Sequence, residues 1–220
     1  MKSKQFDLII FDWDGTLANS TQLIVNAIRA ASLEVGLPDP GQEAASSIIG
    51  LGLREALVSL FGQDIPYEQI QQMAARYNFH YNIGENNIPL FDGVLESIQT
   101  LDANGFKLAV ATGKGRNGLN RALQNSGLGK HFGATRCVDE CYSKPHPQMI
   151  LELMDELDAK PERTLMVGDT SFDLQMASNA NVASLGVSYG AHPLSNLLPH
   201  KPLAHFDAFS KLNQWLVMNA

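Results

Sequence analysis

Four short runs, FDLIIF (6–11), KLAVAT (107–112), TLMVGD (164–169) and ASLGVSY (183–189), are apolar almost from end to end. A strand with one wet face alternates; a run without alternation is buried on both faces, as a parallel strand covered by helices is. ATRCVD (134–139) is a weaker run of the same kind. Between them lie VLESIQTLDANG (94–105), NGLNRALQNSG (117–127), PQMILELMDEL (147–157) and SFDLQMASNA (171–180), amphipathic stretches that often end near Gly or Asn, as helices do. This alternation specifies an α/β fold: a doubly wound parallel sheet, Rossmann-like, with helices on both faces.

One region breaks the alternation. After FDWDGTL (11–17) come about seventy residues without a convincing strand. STQLIVNAIRAASLEVG (20–36) sets Leu23, Ile24, Ala27, Ile28 and Ala31 on one helical face, and LREALVSLFG (53–62) and YEQIQQMAARYNFHYN (67–82) follow. The expectation is an all-helical cap over 18–89, inserted into an α/β core made of 1–17 and 90–220.

In doubly wound sheets ligands bind beyond the carboxyl ends of the strands, so the residues there carry the chemistry. The first strand ends in Asp12 and Asp14 and the second in Thr112-Gly113-Lys114; a loop holds Lys144-Pro145-His146-Pro147, and the fourth strand ends in Gly168-Asp169-Thr170, with Asp173 after it. Buried carboxylates repel and are costly to desolvate, so such a cluster needs a counter-charge. A hard dication with oxygen ligands, Mg²⁺, is the natural occupant. Thr112 and Lys144 are left to face an anion.

Composition narrows the alternatives. The formal charge of −7, from 16 Lys+Arg against 23 Asp+Glu, argues against a nucleic-acid partner. Asp7, Asp12 and Asp14 interrupt the apolar start of a would-be signal peptide, and no run approaches the roughly 18–20 apolar residues of a membrane span. Cys137 and Cys141 supply at most half a zinc site and read as ordinary reduced thiols. A soluble, cytoplasmic protein is expected, monomeric or homodimeric, with no nucleic acid or membrane as partner.

DxDGT after an apolar strand, then a strand ending in Thr, then an isolated Lys-Pro, then GDxxxD resembles the haloacid-dehalogenase superfamily, over nearly the whole chain. The helical insertion after the first motif is similar to the branch containing phosphoglycolate phosphatase, pyrophosphatase and β-phosphoglucomutase. The resemblance implies that Asp12 is a nucleophile forming an aspartyl-phosphate and that Asp14 is the acid and base. It implies that Asp12, the Asp14 backbone carbonyl and Asp169 hold Mg²⁺, with Asp173 and Thr16 in support. Thr112, Gly113 and Lys144 would bind the phosphoryl group. Gly52 and Arg54, in the Gly-rich turn GLGLRE (50–55), and Lys114 are candidate substrate contacts.

Trp13, between the two aspartates, reads as packing, and His146 as an orienting residue. The implied activity is Mg²⁺-dependent hydrolysis of a small phosphorylated metabolite, phosphoglycolate first. A β-phosphoglucomutase-like phosphomutase, a pyrophosphatase and a non-catalytic phospho-ligand sensor are the alternatives.

Overall fold

The computed structural model describes residues 4–220; residues 1–3, the start of the interrupted signal-like segment, lie outside the described residues. The chain runs β1 (Leu8–Phe11), then four helices, α1 (Thr21–Glu34), α2 (Gly41–Ser47), α3 (Leu53–Phe61) and α4 (Tyr67–Gly84). Strand and helix then alternate: α5 (Val94–Ala103), β2 (Lys107–Thr112), α6 (Arg116–Ser126), β3 (Ala134–Cys137), α7 (Gln148–Glu156), β4 (Thr164–Gly168), α8 (Ser171–Asn179) and β5 (Ala183–Val187). It closes with α9 (Leu194–Leu197), β6 (Ala204–Phe206) and α10 (Phe209–Asn219).

The strands form one parallel sheet in the order β3-β2-β1-β4-β5-β6. Leu8 pairs with Lys107 on one side and Thr164 on the other, which puts β1 in the middle. All four of its residues are buried, as a run without alternation requires. Side chains leave alternate faces of a strand, so the sheet feeds two cores. Ile9, Phe11, Leu108, Val110, Leu165 and Val167 join one with α5 and α10, while Leu8, Ile10, Ala109, Ala111 and Met166 join the other with α7 and α8. Winding proceeds outward from β1 through β2 to β3, then resumes on its other side at β4. That reversal opens a crevice at the carboxyl ends of β1 and β4.

Helices α1 to α4 bury their apolar faces in a third cluster, centred on Ile24, Ile28, Ile49, Leu57 and Met73. The chain leaves the sheet and returns to it side by side: Asn19 N–H donates to Pro89 O (2.9 Å) and Phe91 N–H to Leu17 O (3.0 Å). These bonds pair the two stretches of chain that lead from the sheet into α1 and from α4 back to the sheet. Trp13 is buried in the core with Leu17 and Val94, in keeping with a packing role.

The five apolar runs are strands within two residues of their expected limits, but β6, α2, α9 and α10 were not anticipated. β6 has three residues and no fully buried side chain. In α2, GQEAASS, only Ala45 is buried. Helix α10 is integral to the core, because Phe209, Leu212 and Leu216 lie on one face and are buried. Leu212→Ala should therefore cost about 2–5 kcal/mol, read as a lower urea midpoint at unchanged slope; a loss under about 1 kcal/mol would mean that α10 is peripheral.

Candidate active site

Asp12 follows β1 directly and its N–H donates to Val167 O on β4 (2.9 Å), fixing it over the crevice. The chain then turns sharply, with the N–H groups of Leu17 and Ala18 both donating to Trp13 O at 3.0 Å. Gly15 makes the turn possible with φ +82°, and a methyl group there would collide with the Asp169 carboxylate. The turn brings Thr16 round so that its hydroxyl donates to Asp169 Oδ1 (2.8 Å). Asp14 points elsewhere: its Oδ1 accepts from the Ser20 hydroxyl (2.7 Å) and its Oδ2 lies 3.1 Å from Lys114 Nζ.

Lys144 is 1% exposed. Its ammonium lies 2.8 Å from Asp12 Oδ1 and 2.6 Å from Asp173 Oδ1. Burial alone would lower its pKa, but the two carboxylates outweigh that and hold the ammonium far above the usual lysine range. The other oxygen of Asp173 caps α8, accepting from Thr170 N–H (3.0 Å) and the Thr170 hydroxyl (2.7 Å). The Lys144–Pro145 peptide is cis.

Asp169 follows β4 directly and accepts from Ala191 N–H (2.7 Å) as well as from Thr16. Carboxylate oxygens of Asp12, Asp169 and Asp173 come within 4.8 Å of one another, all three buried. One ammonium cannot balance them. Burial first, then Asp12 and Asp173, raise Asp169 well above the ordinary carboxylate range. Burial likewise raises Asp12, against the pull of Lys144. Asp12 Oδ1, fully buried, accepts no well-directed hydrogen bond despite the nearby ammonium. An oxygen-only donor set short of positive charge fits a hard dication.

Thr112 ends β2, buried, with its hydroxyl accepting from Lys114 N–H (3.2 Å). Gly113 lies against the inserted segment: a methyl group on it would stand 2.6 Å from Gly50 O. Asp12, Asp14, Thr112, Gly113 and Lys114 all line one cavity of about 500 Å³, roofed by α1, α4 and the turn between α2 and α3. Lys144, Asp169, Asp173 and Thr16 are buried and are not among its lining residues, and two further candidates also lie off it. Gly52 is buried with its N–H donating to Ser143 Oγ (2.7 Å), and Arg54 is exposed; the turn lines the cavity with Leu51 and Leu53 instead. His146 is exposed and accepts from Gln148 N–H (3.2 Å) at the start of α7.

Sequence reasoning missed Ser20, Tyr81 and the loop holding Ala191 and His192. Tyr81 is reached from α4, where its hydroxyl accepts from Lys114 Nζ (2.7 Å). His192 Nδ1 accepts from Ser171 N–H (3.1 Å), so Nε2 carries the proton and donates to Ser47 O (3.0 Å) on the inserted segment. Burial lowers the His192 pKa and keeps the ring neutral. No motif spacing signals these residues, because each meets the site through a contact remote in sequence.

Removing Lys144 would strand two buried carboxylates. Lys144→Ala, kept in chelator, should lose roughly 3–5 kcal/mol of unfolding free energy, and Lys144→Ala with Asp173→Asn should lose less than the single variant. Equal losses in the two variants would remove the pairing as the cause.

With this geometry in view, the likeness to known proteins is consistent. Residues 9–187 match the sequence profile of the haloacid dehalogenase-like hydrolases. The chain is 35% identical over 213 residues to "Probable phosphatase IndB" of Dickeya dadantii, covering 93% of this chain and 91% of that protein. It is 32% identical over 188 residues to Pyrophosphatase PpaX of Halalkalibacterium halodurans, covering 84% and 85%. The crystal structure of a predicted phosphoglycolate phosphatase from Haemophilus somnus superposes with a TM-score of 0.84 at 28% identity, covering 96% of this chain and 98% of that one. The chain belongs to the haloacid dehalogenase-like hydrolases.

Proposed function

We propose that the chain is a Mg²⁺-dependent phosphomonoesterase, acting on a small soluble metabolite through an aspartyl-phosphate on Asp12. The observation that carries the reading is the meeting of Asp12, Asp14, Thr112 and Lys144 at one end of the sheet, with Asp169 beside them. A carboxylate oxygen of Asp12 attacks phosphorus, and the bond from phosphorus to the leaving oxygen breaks while Asp14 gives that oxygen its proton. Asp14 then takes a proton from water, whose oxygen attacks the phospho-aspartate and releases phosphate and free Asp12. Ser20 and Lys114 hold Asp14 for both tasks.

The Thr112 hydroxyl, the Gly113 N–H and the Lys144 ammonium would bind the phosphoryl oxygens. Asp12, the Asp14 carbonyl and Asp169 would hold Mg²⁺, which when bound offsets the charge of the phosphoryl group. Thr16 and the Ala191 N–H orient Asp169, and Asp173 acts through Lys144 and Thr170. No helix among the described residues is long and apolar enough to cross a membrane, and both cysteines are free; the reading keeps a cytoplasmic enzyme, monomeric or homodimeric. The resemblance and the relatives' names make phosphoglycolate and pyrophosphate the first substrates to try.

Hydrolysis of p-nitrophenyl phosphate should stop in chelator and return with Mg²⁺, while Ca²⁺, which takes roughly six to eight ligands at longer range, should restore little. Full activity in chelator would remove the metal from the reading. The paired aspartates should fail differently. Asp12→Asn should be inactive, whereas Asp14→Asn should release one equivalent of nitrophenol in a burst and stall, because this leaving group departs without a proton. Mass spectrometry of the stalled variant should find phosphate on Asp12; phosphate on Asp14 of wild-type protein would reverse the two roles.

A further inference from the structure

The cavity beyond the phosphoryl end has an unusual charge pattern for an enzyme that would release glycolate or phosphate. Two cations line it, and both are engaged. Lys114 lies 3.1 Å from Asp14 and 2.7 Å from the Tyr81 hydroxyl, and Arg121 donates to Glu85 at 2.8 Å. The Asp14 and Glu85 side chains are only 12% and 7% exposed, so turning either cation toward a substrate would strand a poorly solvated carboxylate. Asp139 adds a further negative charge to the wall, held by the Arg116 N–H at the start of α6. A leaving group with its own carboxylate or phosphate meets only cations that already carry a carboxylate partner.

The uncharged groups, by contrast, are available. Ile24, Ile28, Ile48 and Ile49 make an aliphatic wall. Tyr77 and Tyr81 stand together on α4 with ring centroids 5.8 Å apart, and Tyr77, Asn78, Tyr81 and Asn82 all face the cavity, at the spacing that puts residues on one helical face. No hydrogen bond to another described residue engages the Tyr77 hydroxyl or the side-chain amides of Asn78 and Asn117. About 500 Å³ lies in the range of pockets that enclose whole organic ligands, and glycolate or phosphate would leave most of it to water.

Resting on the phosphatase reading, we infer that the leaving group is an uncharged, ring-sized alcohol. One of its faces is apolar and its edge carries hydroxyl or amide groups; sugars and nucleosides share this chemistry. The apolar face would lie along the isoleucine wall, and the edge groups would meet Tyr77, Asn78 and Asn117.

The test compares kcat/KM of the Mg²⁺-loaded enzyme on a hexose 6-phosphate, a nucleoside 5′-monophosphate, phosphoglycolate and pyrophosphate, with p-nitrophenyl phosphate as a general phosphatase probe. One of the first two should exceed both anionic substrates by about tenfold or more. A lead for the hexose ester would make the ring a sugar and a lead for the nucleotide would make it a nucleoside, each supporting the inference. Phosphoglycolate or pyrophosphate at or above both would overturn it while leaving the phosphatase reading intact. No turnover of any ester, the nitrophenyl probe included, would sink that reading and the inference with it. Tyr77→Phe, a change small enough to keep the fold, should raise KM for the preferred ester about fivefold more than for phosphoglycolate. Equal rises on both would take Tyr77 out of leaving-group recognition.

Discussion

The ammonium of Lys144, wedged between Asp12 and Asp173 without access to water, is the constraint on which the rest of the site depends. Asp12 sits at the end of the central strand and Asp173 in the first turn of α8, so this contact ties the first element of the chain to one more than 150 residues later. Asp173 is committed on its other side to the Thr170 cap of α8, which fixes the loop that carries Asp169. Gly168 belongs to the same arrangement, because a methyl group there would run into the Asp173 side chain. The carboxylates that a metal and a phosphoryl group would require can therefore be buried together only because one lysine already neutralises part of their charge.

Burial raises the demands on that arrangement. In a low-dielectric site every fixed charge acts more strongly than it would at the surface, which favours phosphoryl chemistry and penalises any carboxylate left alone. The upward shifts of Asp12 and Asp169 express that tension. Two of the carboxylates are met by donors remote in sequence, Asp169 by Thr16 and Ala191 and Asp14 by Lys114, with Ser20 adding a nearer donor to Asp14. Precision at the site thus comes from loops held by one another and not from any single element.

The sheet was legible because its strands are buried on both faces and so lack alternation, and the motif residues were legible because they end those strands. What escaped has physical reasons. An edge strand as short as Ala204–Phe206 carries too few residues to show a period, and α2 has only Ala45 to bury. Lys144 was legible as a charged residue in a motif loop, but sequence could not say that two carboxylates enclose it. Ser20, Tyr81 and His192 are ordinary residues in sequence; distance alone makes them part of the site. Gly52 and Arg54 show the opposite limit. A Gly-rich turn can be located from sequence, yet which of its residues face the cavity depends on how the helices beside it cross, and Leu51 and Leu53 take those places.

The inserted helices do more than cover the cavity. Gly52 N–H donates to Ser143 Oγ beside Lys144, and the Ser46 hydroxyl donates to Ala191 O (2.9 Å) while His192 donates to Ser47 O, beside the N–H that holds Asp169. Gly50 O lies against Gly113, next to Thr112, and Tyr81 accepts from Lys114, which pairs with Asp14. Each strand-end loop that carries a site residue is therefore touched by the inserted segment at a neighbouring position. A helical unit that moved away would lose contacts at all of these loops together, so the position of the cap and the positions of the reacting groups form one coupled arrangement. On the side of the insertion, Gly50, Ser47 and Gly52 make these contacts through the backbone, whereas Ser46 and Tyr81 make them through side chains, and because Tyr81 also lines the cavity, the wall that would meet a leaving group is tied to the Lys114–Asp14 pair.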